Sequence, residues 1–384
     1  MKSMFRLISV FLCVCMLFCI CSCKQDIPLT PEESSAVIQN ETSITETEIQ
    51  KAVTDYSEHN FAIHYIDVGQ GDAALVICDD KTMLIDGGKP HASSIIYTYL
   101  KNLSIDYLDY IVASHADDDH IGGLSAPLTK IKVGNVLAPE AEADTRSYKS
   151  LKTKVAEQGL TMVHPKSGET LDFGCGKIEF CGPITEGESD RNNGSIVMKI
   201  IYGETSFLFT GDAEREEEQE ILDAGYDLSA TVLKVGHHGS KNSTAYPFLR
   251  EIMPKYAIIS VGDNSYGHPT EDVLSRLRDA DVKVYRTDMQ GDIVVESDGK
   301  TITITTAKNE NVQTNPTEAE KTLSAQNIEN CEAFEYIGNA NTKKFHYPNC
   351  SAVSQMKEKN KVYLNCTRDE AIQDGFNPCG KCNP

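Results

Sequence analysis

From position 60 to about position 306 the apolar residues fall into short runs, separated by glycine-rich or charged turns. Phe61–Val68 alternates along its length, which predicts a half-buried strand. Ala73–Cys78 and Met83–Asp86 follow it across glycine turns and predict two more. Ser93–Asn102 reads as a helix, and Tyr107–Ala113 as a buried strand. Strands and helices alternate as far as Gly182. Further strands are predicted at Ile196–Tyr202, Ser206–Thr210, Thr231–Val235, Ile258–Val261, Val282–Tyr285, Asp292–Glu296 and Thr301–Thr306. Glu214–Glu220 reads as the charged start of a helix with a solvated face. No repeat at a solenoid period is present.

The pattern stops at both ends. Gln25–Glu58 is rich in Ser, Thr, Glu and Pro and reads as a tether; Lys308–Asn330 has the same character. Met1–Cys23 reads as a secretion signal, with Lys2 and Arg6 before an apolar run from Leu7 to Cys21. Ile20-Cys21-Ser22-Cys23 resembles a bacterial lipobox, which predicts lipidation of Cys23 and anchoring to the outer side of the membrane. The expected divisions are 1–23 signal, 24–59 tether, 60–306 main domain, 307–333 linker and 334–384 terminal module. A multi-span channel has no place in this plan. The net charge of −21 excludes unspecific attraction of polyanions, so nucleic acid would have to be gripped locally or through metal ions.

Ser114–Gly123 (SHADDDHIGG) concentrates the chemistry. Asp117, Asp118 and Asp119 repel one another unless a positive charge sits among them. With His115 and His120 beside them, they offer the carboxylate and imidazole ligands of hydrolytic zinc, manganese or iron sites. Other candidate groups also follow apolar strands: Asp86, Asp212 after Gly211, and the pair His237–His238 in Lys234-Val235-Gly236-His237-His238-Gly239-Ser240. Gly267-His268-Pro269 adds one more histidine in a loop.

His-x-Asp-x-Asp-His followed by Gly-Gly resembles the signature of the metallo-β-lactamase superfamily, with Asp117 where most members carry a second histidine. That replacement, with IDVGQGDA, LIDGG, TGD, LKVGHHGS and GHP, resembles the extracytoplasmic hydrolase domain of ComEC competence proteins. The resemblance covers about two-thirds of the chain and implies an αββα sandwich holding two divalent metals, Zn or Mn. The carboxylate at 117 makes the site harder and favours manganese more than an imidazole would. His115, Asp117 and Asp212 are expected at the first metal. Asp119, His120, Asp212 and one of His237 and His238 are expected at the second. Asp86 is expected to orient ligands, and Asn193 or Ser195 stands where relatives carry a further histidine. Ser240 and Lys241 are candidate phosphate contacts. Asp119, Asp212 and His268 are the catalytic candidates, His268 stabilising charge or passing a proton to the leaving group.

Near the end, His346-x3-Cys350 and Cys379-x2-Cys382 have structural-zinc spacing, with a disulfide framework as the alternative. Cys331 and Cys366 could also pair. Tyr363, Glu370-Ala371 and Gly375–Cys379 resemble the small zinc module of Ada DNA-repair proteins, with His346 in place of a cysteine. Lys343, Lys344, Lys357, Lys359, Lys361 and Arg368 make this module slightly basic, which suits either a local nucleic-acid patch or plain solvation. The sum is an expected lipid-anchored metallohydrolase of phosphodiesters, with extracellular DNA as the leading substrate. The alternatives are a small-molecule phosphodiesterase or lactonase on the same site, and an inactive metal- or DNA-binding lipoprotein.

Overall fold

The computed structural model describes residues 60–320 and 336–384, apart from residues 186, 188, 189 and 365. The signal, lipobox and tether lie outside the described residues, as does Cys331. Among the described residues no helix is long and apolar enough to cross a membrane.

The main domain opens with β1 (Phe61–Tyr65), β2 (Ala74–Cys78), β3 (Lys81–Ile85), β4 (Tyr107–Val112), β5 (Lys132–Leu137) and β6 (Met162–Val163). A second sheet follows: β7 (Thr170–Phe173), β8 (Gly176–Gly182), β9 (Val197–Tyr202), β10 (Thr205–Phe209), β11 (Val232–Lys234), β12 (Tyr256–Ile259) and β13 (Lys283–Arg286). The chain then returns to the first sheet as β14 (Ile293–Ser297) and β15 (Ile302–Thr306). The orders are β15-β14-β1-β2-β3-β4-β5-β6 and β13-β12-β11-β10-β9-β8-β7.

Alternation along the strands makes the layers. In β3, Met83 and Ile85 face the core between the sheets, while Leu84 faces the outer helices. In β10, Phe207 and Phe209 face inward and Leu208 faces the helices on the other side. Helices α1 (Ser93–Asn102) and α2 (Arg146–Glu157) cover the first sheet through Ile96, Leu100, Leu151 and Val155. Helices α3 (Arg215–Ala224), α4 (Tyr246–Ile252) and α5 (Glu271–Asp279) cover the second through Ile221, Phe248, Ile252, Val273 and Leu277. The domain is the expected αββα sandwich.

Two expectations need correcting. Glu217 and Glu218, in the stretch read as a solvated helix face, are buried. Glu217 accepts from the Ile184 amide (2.9 Å), and Glu218 from the amides of Thr244 and Ala245, so they fasten loops that would otherwise leave buried N–H groups unpaired. The linker also begins later than residue 307. Thr314 is buried with its hydroxyl on the Val284 carbonyl, and Asn315 donates to the Leu274 carbonyl (3.0 Å). Hydrogen bonds to backbone hold this polar stretch against the domain where apolar burial cannot.

The terminal module is a four-stranded sheet, with β16 (Tyr336–Asn339), β17 (Lys344–His346), β18 (Lys361–Leu364) and β19 (Asn377–Pro378) in the order β18-β16-β17-β19. Its core is small: Tyr336, Phe345, Ala371 and Phe376.

Candidate metal centre

Strand ends along one edge of the sandwich deliver the candidate groups. After β3, Asp86 adopts a left-handed conformation (φ 59°), and after β4 the chain turns through Ser114–Gly123. Gly71 is required here: its neighbour Asp72 donates its amide to the Asp119 carbonyl (3.0 Å), and a Cβ at Gly71 would overlap that carbonyl. After β10 comes Asp212, and after β11 come His237 and His238, both left-handed (φ 50° and 53°). Two adjacent non-glycine residues in that region are strained, a feature that clusters at functional sites.

Four imidazoles converge on one carboxylate. The Nε2 atoms of His115, His120, His237 and His238 lie 4.0, 3.2, 3.6 and 3.7 Å from Asp212 oxygens. Each ring is held from behind through Nδ1. His115 meets the Ser114 hydroxyl (3.1 Å), His120 meets Asp86 (2.8 Å), His237 meets Glu214 (3.1 Å), and His238 meets the Ser260 carbonyl (3.0 Å). An Nδ1–H given to an acceptor leaves Nε2 as the free base, the tautomer a metal requires. Asp86 is itself fixed by the amide and hydroxyl of Ser114 (2.8 and 2.7 Å).

Asp119 comes within 3.7 Å of His238 Nε2, and Asp117 within 3.9 Å of His115 Nε2. It is therefore His238 that faces Asp119, while His237 approaches Asp212 and is the more exposed of the pair. Nε2 of His115, His120 and His238 and Oδ1 of Asp212 are buried without a hydrogen-bond partner. Leaving such atoms unpaired costs about 1–3 kcal/mol each. Cations among them would satisfy all four, so the donor set fits divalent metal.

The electrostatics agree. Burial penalises the Asp212 charge, but the facing His120 and His238 outweigh it and hold the carboxyl well below its usual range. Burial, with the neighbouring His120 charge, pushes His115 down to about 3, so this ring is neutral at pH 7. For His120, burial is outweighed by Asp212 and Asp86, which raise it; metal must displace that proton.

Four participants escaped the sequence reading. Asp72 lies with His120, Asp212 and His238 in one group whose ligand atoms are all within 4.8 Å of one another. Burial disfavours its charge, yet the Lys234 ammonium at 2.6 Å and His238 hold it well below the carboxylate range. Lys234 is itself buried. Glu214 backs His237, and Arg191 pairs through Nε with Asp117. The missed signals were the aspartate closing IDVGQGD, just before β2, and the lysine in LKVGHHGS, the last residue of β11.

The remaining expected residues have these partners. The Ser195 hydroxyl accepts from the Asp212 amide (3.1 Å) and the Asn193 side chain from the Glu214 amide (3.0 Å), so both shape the turn that carries Asp212. The Ser240 hydroxyl accepts from the Asn242 amide (3.3 Å). Lys241 is exposed, with its carbonyl taken by Arg215 and Arg276. His268 stacks edge-on to His237 at 5.5 Å between centroids. Burial, with the charges of His237 and His238, lowers it to about 4. It is neutral at pH 7, which suits hydrogen-bond donation rather than proton transfer from an imidazolium.

In the terminal module His346, Cys350, Cys379 and Cys382 gather with ligand atoms within 4.8 Å of one another, and no disulfide joins the three cysteines. His346 Nδ1 is buried and unpaired. The amides of Lys381 and Cys382 point at Cys379 and hold its thiol below the ordinary range, as a metal-binding thiolate needs.

The metallo-beta-lactamase superfamily model matches residues 66–263. ComE operon protein 3 of Bacillus subtilis is 33% identical over 250 residues, which cover 60% of this chain and 32% of that protein. Competence protein ComA of Neisseria gonorrhoeae is 34% identical over 237 residues, covering 61% and 32%. The chain thus spans about a third of the length of these relatives. Among solved structures, the metallo-beta-lactamase fold protein YhfI of Bacillus subtilis aligns with a TM-score of 0.43 at 14% identity, covering 62% of this chain and 100% of that one.

Proposed function

The chain belongs to the metallo-β-lactamase superfamily, and from that premise we propose that it is a metal-dependent phosphodiesterase acting on DNA strands outside the cytoplasm. The observation that carries the reading is the set of four imidazole Nε2 atoms around Asp212, each ring backed through Nδ1. The name of the Neisseria gonorrhoeae relative, a competence protein, supports DNA as substrate. The signal and lipobox residues support attachment to the membrane through Cys23.

Asp119, His120, Asp212 and His238 would hold one cation, and His115, Asp117 and Asp212 the other. When bound, two divalent cations supply a nucleophilic water at neutral pH and neutralise charge growing on the phosphoryl oxygens. Asp86 and Glu214 keep His120 and His237 in the tautomer that leaves Nε2 free. Neutral His268 would donate an N–H to a phosphoryl or leaving oxygen. Buried Lys234 offsets the charge of Asp72 beneath the centre. Arg191, half-exposed at Asp117, supplies positive charge at the rim of an otherwise acidic molecule.

Incubating the chain after Cys23 with single- and double-stranded DNA and manganese or zinc tests this. Digestion by the parent and none by His120→Ala supports it; equal traces in both mean contamination and sink it. A small uncharged ester or phosphodiester is the second reading, favoured by the net charge of −21, which repels a polyanion. Turnover of lactones or chromogenic phosphodiesters without digestion of DNA would favour it.

A further inference from the structure

Resting on the phosphodiesterase reading, we propose that Tyr266 is a stacking platform for a nucleobase of the substrate strand, held beside the metal centre. Tyr266 is 69% exposed, in the loop that carries His268. Its ring lies 5.7 Å from the His268 ring, tilted by 31°. His268 in turn lies 5.5 Å from His237, whose Nε2 faces Asp212. An open aromatic face therefore stands one ring beyond the imidazoles at the metal centre.

The loop is built to present that ring. Asn264 donates to the carbonyls of Gly262 (2.8 Å) and His268 (2.9 Å). Its own carbonyl accepts from the amides of Tyr266 (3.1 Å) and His268 (3.0 Å). Just beyond, the amide and hydroxyl of Thr270 both donate to Gly239, the residue after His238 (2.9 and 3.0 Å). The turn bearing two metal-facing histidines and the loop bearing Tyr266 are thus one hydrogen-bonded unit. An aromatic ring ordered before binding loses little freedom when a base stacks on it.

Charge argues in the same direction. A chain at −21 cannot hold a strand through a broad basic groove. Stacking involves no ion pairing, accepts any base and works on an acidic surface. A strand held by metals and one ring should bind with a shallow dependence on salt.

The chain contains no tryptophan, so Tyr266→Trp gives a single reporter at the proposed site. With manganese present, a short single-stranded oligonucleotide should quench it, and an abasic sugar–phosphate strand of equal length should not. Tyr266→Ala should weaken oligonucleotide binding about tenfold, the scale of one lost base–aromatic stack, and leave abasic-strand binding unchanged. Tyr266→Phe should behave as the parent. Equal loss for both strands, or full oligonucleotide binding by Tyr266→Ala, overturns the platform while leaving the phosphodiesterase intact. Quenching by a nucleoside monophosphate in a protein that cleaves no phosphodiester supports the platform and overturns the hydrolase instead.

Discussion

Among the described residues, metal-type donors gather in two places, and these differ in what surrounds them. At the sandwich edge the donors are carboxylates and imidazoles at the ends of strands whose packing is complete without them. Tyr65, Phe207, Ile63, Met83 and their neighbours bury fully between the sheets. In the terminal module the donors are three thiols and one imidazole, two of them packed into a cluster with Ile337 and Val353. A core of Tyr336, Phe345, Ala371 and Phe376 is too small to hold such a module well by itself. The contrast predicts that the first site uses a finished fold to position reactive groups and that the second uses its donors to finish a fold. Hard donors with an exposed side suit exchangeable catalytic metal, and a closed thiolate set suits structural zinc.

The sharpest way to break this contrast is to strip the metal from the full chain. Apparent zinc binding to such small modules contributes about 10–16 kcal/mol to folding. With chelator, amide exchange across residues 336–384 should become fast, while peptides from residues 60–306 keep their protection. Loss of protection in both regions together would mean that the sandwich also folds around its metal. Cys379→Ser should reproduce the local effect without chelator.

Next in size is the removal of the shared carboxylate. Asp212→Ala should lower hydrolysis at least about a thousandfold, with far-UV circular dichroism and melting of the main domain little changed. Unfolding of the variant would assign Asp212 to the scaffold. A smaller effect is expected behind the ligands: Asp86→Asn, which backs His120, should cost about 10–100-fold in metal affinity or activity, and Glu214→Gln, which backs His237, should cost less. An equal loss in both variants would make His237 a ligand as well.

The smallest expected effect is a pH dependence of the metal-free protein. His268 falls from 6.5 to about 4 on folding, mainly through burial and then through His237 and His238. The unfolded chain therefore binds a proton below pH 6.5 that the folded chain refuses until about pH 4, and stability falls as pH falls through that window. After allowance for partial exposure the loss is about 1–2 kcal/mol. Denaturant midpoints across that range should vary less in His268→Gln than in the parent; identical profiles would remove His268 from the account.

The contrast also separates what could be read locally from what could not. The Ser114–Gly123 loop was legible because five chemical groups lie within a few residues at a strand end. The His346–Cys382 set was legible for the same reason, as two short pairs. Asp72, Lys234, Glu214 and Arg191 were not, because each has meaning only through a partner far along the chain: Asp72 with Lys234, Arg191 with Asp117. Glu217 and Glu218 misled because charge in a helix start normally faces water, and only the loops laid over them make burial tolerable.

By itself, then, the order of residues determined the strand alternation and which residue types can bind metal, and its motifs carried the resemblance that implied the sandwich. Alternation and donor chemistry are properties of single residues and near neighbours. Only the tertiary structure decided that His238 rather than His237 faces Asp119, that Ser195 and Asn193 shape a turn, and that Tyr266 stands beside the centre. Those are matters of direction, and a side chain's direction is set by strands brought together from more than a hundred positions apart.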